Sequence, residues 1–268
     1  MKYRISVFMC VVAISIMIFN SGCGSEKEFV VEYFPVEVGN WWQHEYRFFV
    51  VEYDTVTNDT FELLYTDSLR DEIAGTNVLS DWHCYRFFET LNNSTRWYAH
   101  PDSALLFIAA LIDTSRLVIE GSSKDRIYML NGTTLRTVYE LASYIRYINS
   151  GLSWSHDADT MYMIPPQKFY VYPMSIGTNW IRMTDPFYEE REVIAAESVT
   201  VVAGSFQALK VCVTIDMGID YDRYLWVNEE GTLKDSIYSR GIATNAIGDT
   251  IGYFDAYTTY ELIAYDLE

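Results

Sequence analysis

Leu209-Lys210-Val211-Cys212-Val213-Thr214-Ile215 places Leu209, Val211, Val213 and Ile215 at one parity and Lys210, Cys212 and Thr214 at the other. Successive side chains of a strand point to opposite faces, so the alternation predicts a strand with one face in a core and the other toward water. An antiparallel sheet reads this way, whereas a parallel sheet covered on both faces reads as continuous apolar sequence. Working outward, residues 42–53, 82–89, 193–202 and 251–264 share the texture: rich in Val, Ile, Thr, Tyr, Phe and Trp, and separated by small turn residues. Two stretches depart from it. Leu135, Val138, Leu141, Ala142, Ile145 and Ile148 fall at helical spacing between Gly132 and Gly151 and predict a helix. Ala104–Leu111 is continuously apolar, a pattern shared by buried strands and short helices; its surroundings favour a strand.

The chain repeats itself. Phe34-Pro35-Val36-Glu37-Val38-Gly39-Asn40-Trp41-Trp42 returns as Tyr172-Pro173-Met174-Ser175-Ile176-Gly177-Thr178-Asn179-Trp180, both reading aromatic-Pro-x-x-apolar-Gly-x-x-Trp. Pro35 and Pro173 fix an extended entry, Gly39 and Gly177 permit a positive φ, and Trp42 and Trp180 start a strand with a large core anchor. A downstream match pairs Ala74-Gly75-Thr76, Cys84 and Arg96-Trp97 with Ala203-Gly204-Ser205, Cys212, Arg223 and Trp226. Either the body is two related halves, residues 29–150 and 165–268, or one sheet uses the same strand-entry device twice.

The N-terminus is of another kind. Lys2 and Arg4 precede an apolar run over residues 5–19, then Asn20-Ser21-Gly22-Cys23. A basic start, a short apolar core and small residues make an export signal, and the run is shorter than the roughly 20 apolar residues that span a bilayer. Residues 1–22 read as a signal peptide, 23–28 as a polar tether, and 29–268 as the β-rich body. Small residues directly before Cys23 resemble the bacterial lipoprotein cleavage box, although Asn20 stands where that box usually has an apolar residue. On this reading Cys23 carries the lipid; on the alternative, an ordinary signal is cleaved and Cys23 stays a thiol. Two or three acyl chains make a durable anchor.

Cleavage after residue 22 removes two positive charges and no negative ones, moving the formal net charge from -18 to -20. Phosphate recognition needs clustered Lys and Arg, so nucleic acid is not an expected partner. Anionic lipid surfaces are disfavoured for the same reason. With 50% hydrophobic and 16% aromatic residues, the body is nevertheless a folded domain and not an acidic tail.

Three pieces together carry a family resemblance: the two strand-entry copies, Val199-Thr200-Val201-Val202-Ala203-Gly204-Ser205-Phe206, and Trp226-Val227-Asn228-Glu229-Glu230-Gly231-Thr232-Leu233-Lys234. They resemble a group of uncharacterised bacterial envelope lipoproteins whose pattern is similar to V-T-V-P-A-G-x-F, a strand, then W-Y-x-x-G-x-G-L-V-K. Val202 replaces the usual proline, and Thr232 interrupts the usual ending. The resemblance implies a mainly β fold: a curved antiparallel sheet, half-barrel or open barrel, similar to lipoprotein-localisation proteins, with at most one or two short helices. It brings no catalytic residues.

Chemistry beyond Cys23 is sparse. Cys84 and Cys212 remain for the body, as a disulfide in an oxidising envelope or as two buried core thiols. His44, His83, His100 and His156 form no spaced metal motif, and neighbours such as His83 and Cys84 point to opposite strand faces, which spoils a catalytic dyad. Asp216, Asp220 and Asp222, and Asp157 with Asp159, lack the offsets of a calcium loop and read as solvated turns. No cofactor, metal or catalytic residue is expected, and no enzyme. The expected role is a lipoprotein of the cell envelope, on the outer rather than the inner membrane. Its leading form is a carrier for an apolar ligand, which requires a cavity of at least a few hundred Å³. The alternative is a structural or interaction module for a protein or glycan, with no pocket.

Overall fold

The computed structural model describes residues 28–90, 93–111, 127–130, 133–135, 141, 144–145, 160–185, 187–216, 220–245 and 247–268. Fourteen strands are described: β1 (Trp41–Asp54), β2 (Thr60–Leu79), β3 (Trp82–Glu89), β4 (Ser94–Ala99), β5 (Ala104–Leu111), β6 (Ile127–Leu130), β7 (Thr133–Leu135), β8 (Met161–Val171), β9 (Asn179–Met183), β10 (Tyr188–Val201), β11 (Gly204–Asp216), β12 (Tyr221–Asn228), β13 (Gly231–Thr244) and β14 (Thr250–Asp266). Twelve of them form one antiparallel path, β8-β5-β4-β3-β2-β1-β14-β13-β12-β11-β10-β9, while β6 pairs with the far end of β13 and with β7. The path is two six-stranded meanders joined where β1 pairs with β14.

The sheet curls until its two ends meet. Across the β8/β9 seam there is no ladder, but the Trp180 indole N–H donates to the Lys168 carbonyl at 3.1 Å and Arg191 Nη1 donates to the Phe169 carbonyl at 2.9 Å. A nearly closed barrel results. Closure demands strong curvature, and one-residue register shifts supply it at Gln43/His44, Ile73/Gly75, Val193/Ala195 and Trp226/Val227.

The two strand-entry segments are the same object in space. Gly39 (φ 106°) and Gly177 (φ 88°) each sit third in a tight turn closed by Asn40 N–H to Glu37 O at 3.2 Å and Thr178 N–H to Ser175 O at 3.0 Å. Each glycine then donates to the neighbouring strand, Gly39 to Ile73 O at 2.9 Å and Gly177 to Val193 O at 2.8 Å, and both acceptors stand at a bulge. Only a residue at ease with positive φ fits that turn position. The correspondence continues along the ladders to Trp97 and Trp226, whose indoles reach Asn77 and Glu197, each four residues past the docking position. The glycine and cysteine matches of the downstream segment do not correspond. Gly75 lies at a bulge inside β2, whereas Gly204 opens β11 after a hairpin, and the ladder pairs Arg86, not Cys84, into the place of Lys210. A one-residue bulge shifts everything after it, so spacing along the sequence misaligned them.

Ala104–Leu111 is strand β5. Of the residues forecast as helix, Leu135 is in strand β7 instead, paired with Tyr128; its hydrogen-bonding partner on β6 overrides its helical spacing. Leu141 and Ile145 are helical and buried, and Val138, Ala142 and Ile148 lie outside the described residues.

Candidate functional site

Follow the inward face of β1: Trp42, His44, Tyr46, Phe48, Val50 and Glu52 are all buried. Aromatic and aliphatic side chains fill both ends of the lumen. At one end Phe34 packs on Trp42 and stacks on Tyr170 at 5.8 Å; at the other Tyr128 meets Phe254 edge-on at 5.5 Å and donates to Glu52 at 3.1 Å. Between them lies a layer of charge. Arg182 Nη1 and Arg191 Nε hold the two oxygens of Glu189 at 2.9 and 2.7 Å, with all three side chains fully buried. Arg223 grips Asp235 bidentately at 3.1 and 2.7 Å, and Arg96 pairs with Glu89, which also accepts from Ser94 at 3.3 Å. Asp71 projects into the same layer from between the buried Leu69 and Ile73.

Two neighbouring cavities of about 150 and about 100 Å³ open in this layer and share His44, Asp71, Arg96, Tyr98, Phe169 and Thr232 as lining. The smaller runs beneath Phe34 and Trp42; the larger reaches Glu89, Arg223, Asp235 and Tyr260. About 150 Å³ is the volume of roughly five waters, or of one small ring.

Desolvation is the strongest force on these groups. It pushes the Asp71 carboxyl up to about 7, opposed by the Arg96 charge and reinforced by Glu89. Burial lowers His44, whose ring nitrogen donates to the Thr232 carbonyl at 2.8 Å. Burial also brings Arg182 down to about 10 against the pull of Glu189. For Glu189 burial works upward, but Arg182, Arg191 and Arg223 together outweigh it and hold the carboxyl below its ordinary range.

Strand parity is the sequence signal for this layer. Asp71 stands two residues from Leu69 and Ile73, Asp235 from Leu233 and Ile237, Arg223 from Leu225, and Arg191 from Val193, each on the face that its apolar neighbours bury. A charge at apolar parity is the mark of a buried ionic side chain.

The residues singled out from the sequence have structural places. Pro35 and Pro173 precede the paired turns, and the Trp42 indole donates to Glu230 O at 2.5 Å, joining the first strand-entry motif to the Asn-Glu-Glu-Gly hairpin between β12 and β13. Ala203 and Gly204 build the hairpin joining β10 to β11, Ala203 N–H reaching Leu262 O at 3.1 Å, and Phe206 packs edge-on against Tyr265. Val202 is exposed in the two-residue loop, a position that tolerates valine or proline. Cys84 and Cys212 are free thiols, both pushed up by burial. They lie on β3 and β11, six strands apart along the sheet, which corrects the disulfide expectation: half the barrel's circumference separates them. His83 is exposed while Cys84 is buried; Asp216, Asp220 and Asp222 are exposed; Cys23, His156, Asp157 and Asp159 lie outside the described residues. Among the described residues no group of three or more His, Cys, Asp or Glu is arranged to hold a metal ion.

No family model matches this chain. No curated protein matches it either. Among solved structures, a candidate exported protein with a YmcC-like fold from Bacteroides fragilis is similar over 88% of this chain and 99% of that one, at 12% identity and a TM-score of 0.37. A candidate lipoprotein from Parabacteroides distasonis is similar over the same shares, at 12% identity and a TM-score of 0.33.

Proposed function

We propose that this chain is an envelope lipoprotein, held to a membrane through lipid on Cys23, whose barrel is a non-catalytic module that acts through its outer surface. One observation carries the choice of surface over lumen: among the described residues rings and ion pairs fill the interior, and the two cavities that open in the charge layer are about 150 and 100 Å³. A carrier for an acyl chain or another large apolar ligand needs several times that volume and an apolar lining. Here a ligand of that kind would have to displace Arg96, Glu89, Arg223 and Asp235 from their pairings, leaving buried charge uncompensated.

The outer face supports an aqueous setting for the body. On β1 it presents Gln43, Glu45 and Arg47, and on β13 and β14 Lys234 pairs with Glu261 at 2.7 Å. A barrel embedded in lipid carries an unbroken apolar band on its outer face, which these charged positions interrupt. Among the described residues no helix is long and apolar enough to cross a membrane, so the lipid is the attachment this reading relies on. The outer membrane is our preferred location.

Mass spectrometry of the protein extracted from membranes by mild detergent tests the anchor: diacyl or triacyl mass on Cys23 is expected, together with loss of Cys23→Ser from the membrane fraction. A mature mass without acyl groups sinks the anchor. Titration with a fluorescent fatty acid tests the surface reading; stoichiometric, saturable uptake would return the function to the lumen.

A further inference from the structure

The charge layer holds four acids and four arginines, but they are not paired one to one. Glu189 has two guanidinium partners, Asp235 has a bidentate one, and Glu89 has Arg96. Among the described residues Asp71 is the lumen acid with no ion pair or hydrogen bond, and its carboxyl borders both cavities. Three acids, Asp71, Glu89 and Asp235, face the larger cavity with two arginines, Arg96 and Arg223, which are taken by Glu89 and Asp235, so Asp71 is the acid of that wall left outside a pair. Four aromatic residues, Tyr98, Phe169, Tyr170 and Tyr260, line the same space, with His44, Leu69, Leu225 and Thr232 making up the rest. Ring faces attract cations, most strongly where water is excluded. This barrel already uses Phe169 that way, with the Arg191 and Arg182 guanidinium groups 5.0 and 5.3 Å from its centre.

We propose that the lumen cavity beside Asp71 binds a small organic ammonium compound, with the Asp71 carboxylate as counter-ion and the rings of Tyr98, Phe169 and Tyr260 as walls. A carboxylate outside any ion pair among the described residues, with aromatic side chains around it, suits a primary, or a singly to fully methylated, ammonium group of a few non-hydrogen atoms, which is what about 150 Å³ admits. An anion of that size would face the unpaired Asp71 carboxylate, and an apolar molecule would strand that carboxylate without solvent. The site is independent of the outer-surface role proposed above. It requires no large lumen and no lipid.

The test is a calorimetric titration at pH 8, where Asp71 is ionised, of the full-length protein in detergent with methylammonium, ethanolamine and tetramethylammonium chlorides, against sodium chloride at equal ionic strength. Saturable binding of at least one amine is expected. Asp71→Asn, checked for native circular dichroism, should weaken it about tenfold or more, the scale of a charge-assisted contact. Tyr260→Leu, which keeps the carboxylate, should weaken tetramethylammonium more than methylammonium, and it serves if Asp71→Asn does not fold. No saturable binding of any amine, binding unchanged in both variants, or binding of acetate or phosphate in place of the amines would overturn the site.

Discussion

At the scale of single residues, the buried charges set the terms. A buried pair is costly to form and costlier to break, because removing one partner leaves the other uncompensated in low dielectric. Glu189→Gln should therefore cost about 3–5 kcal/mol, since it strips both Arg182 and Arg191 of their carboxylate. Urea denaturation would show it as a lower midpoint at similar slope. Asp71 works in the other direction. Its carboxyl is raised to about 7 in the fold, against about 3.9 in an unfolded chain. Between those values the folded state keeps a proton that the unfolded state has released, so the contribution of Asp71 to stability falls as pH rises from about 4 to about 7. Asp71→Asn should raise the urea midpoint at pH 8, and the gain should shrink steadily toward pH 4; no gain at pH 8 would contradict this. Glu189 has the opposite sign. It is held below the carboxylate range, so its stabilisation is present at neutral pH and is lost as pH falls through that lowered value.

At the scale of elements, the strand-entry turn and the seam are the parts on which closure depends. A Cβ at Gly177 would meet nothing within 4 Å, so Gly177→Ala isolates the backbone cost of its positive φ, roughly 1–2 kcal/mol in melting experiments. At Gly39 the same Cβ would also approach the Glu268 carboxylate to 3.0 Å, so Gly39→Ala should cost at least as much. Trp180→Phe keeps a ring in place and removes the N–H that bridges to Lys168 across the seam. The expected loss is about 1–3 kcal/mol. Amide exchange should accelerate in β8 and β9 while the β1/β14 ladder stays protected; uniform acceleration would show that the seam is no weaker than the rest.

At the scale of the whole molecule, the two meanders repeat an entry device but share one interior. Trp42 to Glu230, His44 to Thr232 and Tyr170 to Thr232 all cross between them, and the charge layer draws Asp71, Glu89 and Arg96 from the first meander and Arg182, Glu189, Arg191, Arg223 and Asp235 from the second. Neither residues 28–171 nor residues 172–268 should fold alone; a cooperative melt from either fragment would contradict that. What the sequence determined by itself was local. Alternation such as Leu209 to Ile215 set the strands and their faces, the aromatic-Pro-x-x-apolar-Gly-x-x-Trp copies set the turns, and the residues around Cys23 predicted export and anchoring, because each depends on neighbours a few positions away. Tertiary structure decided which strands adjoin, that the curved sheet closes to a seam, that Cys84 and Cys212 lie half a barrel apart, and that eight charges meet inside. Those outcomes rest on contacts as distant as the 188 residues between Trp42 and Glu230, and on one-residue bulges that shift parity without leaving a mark in spacing.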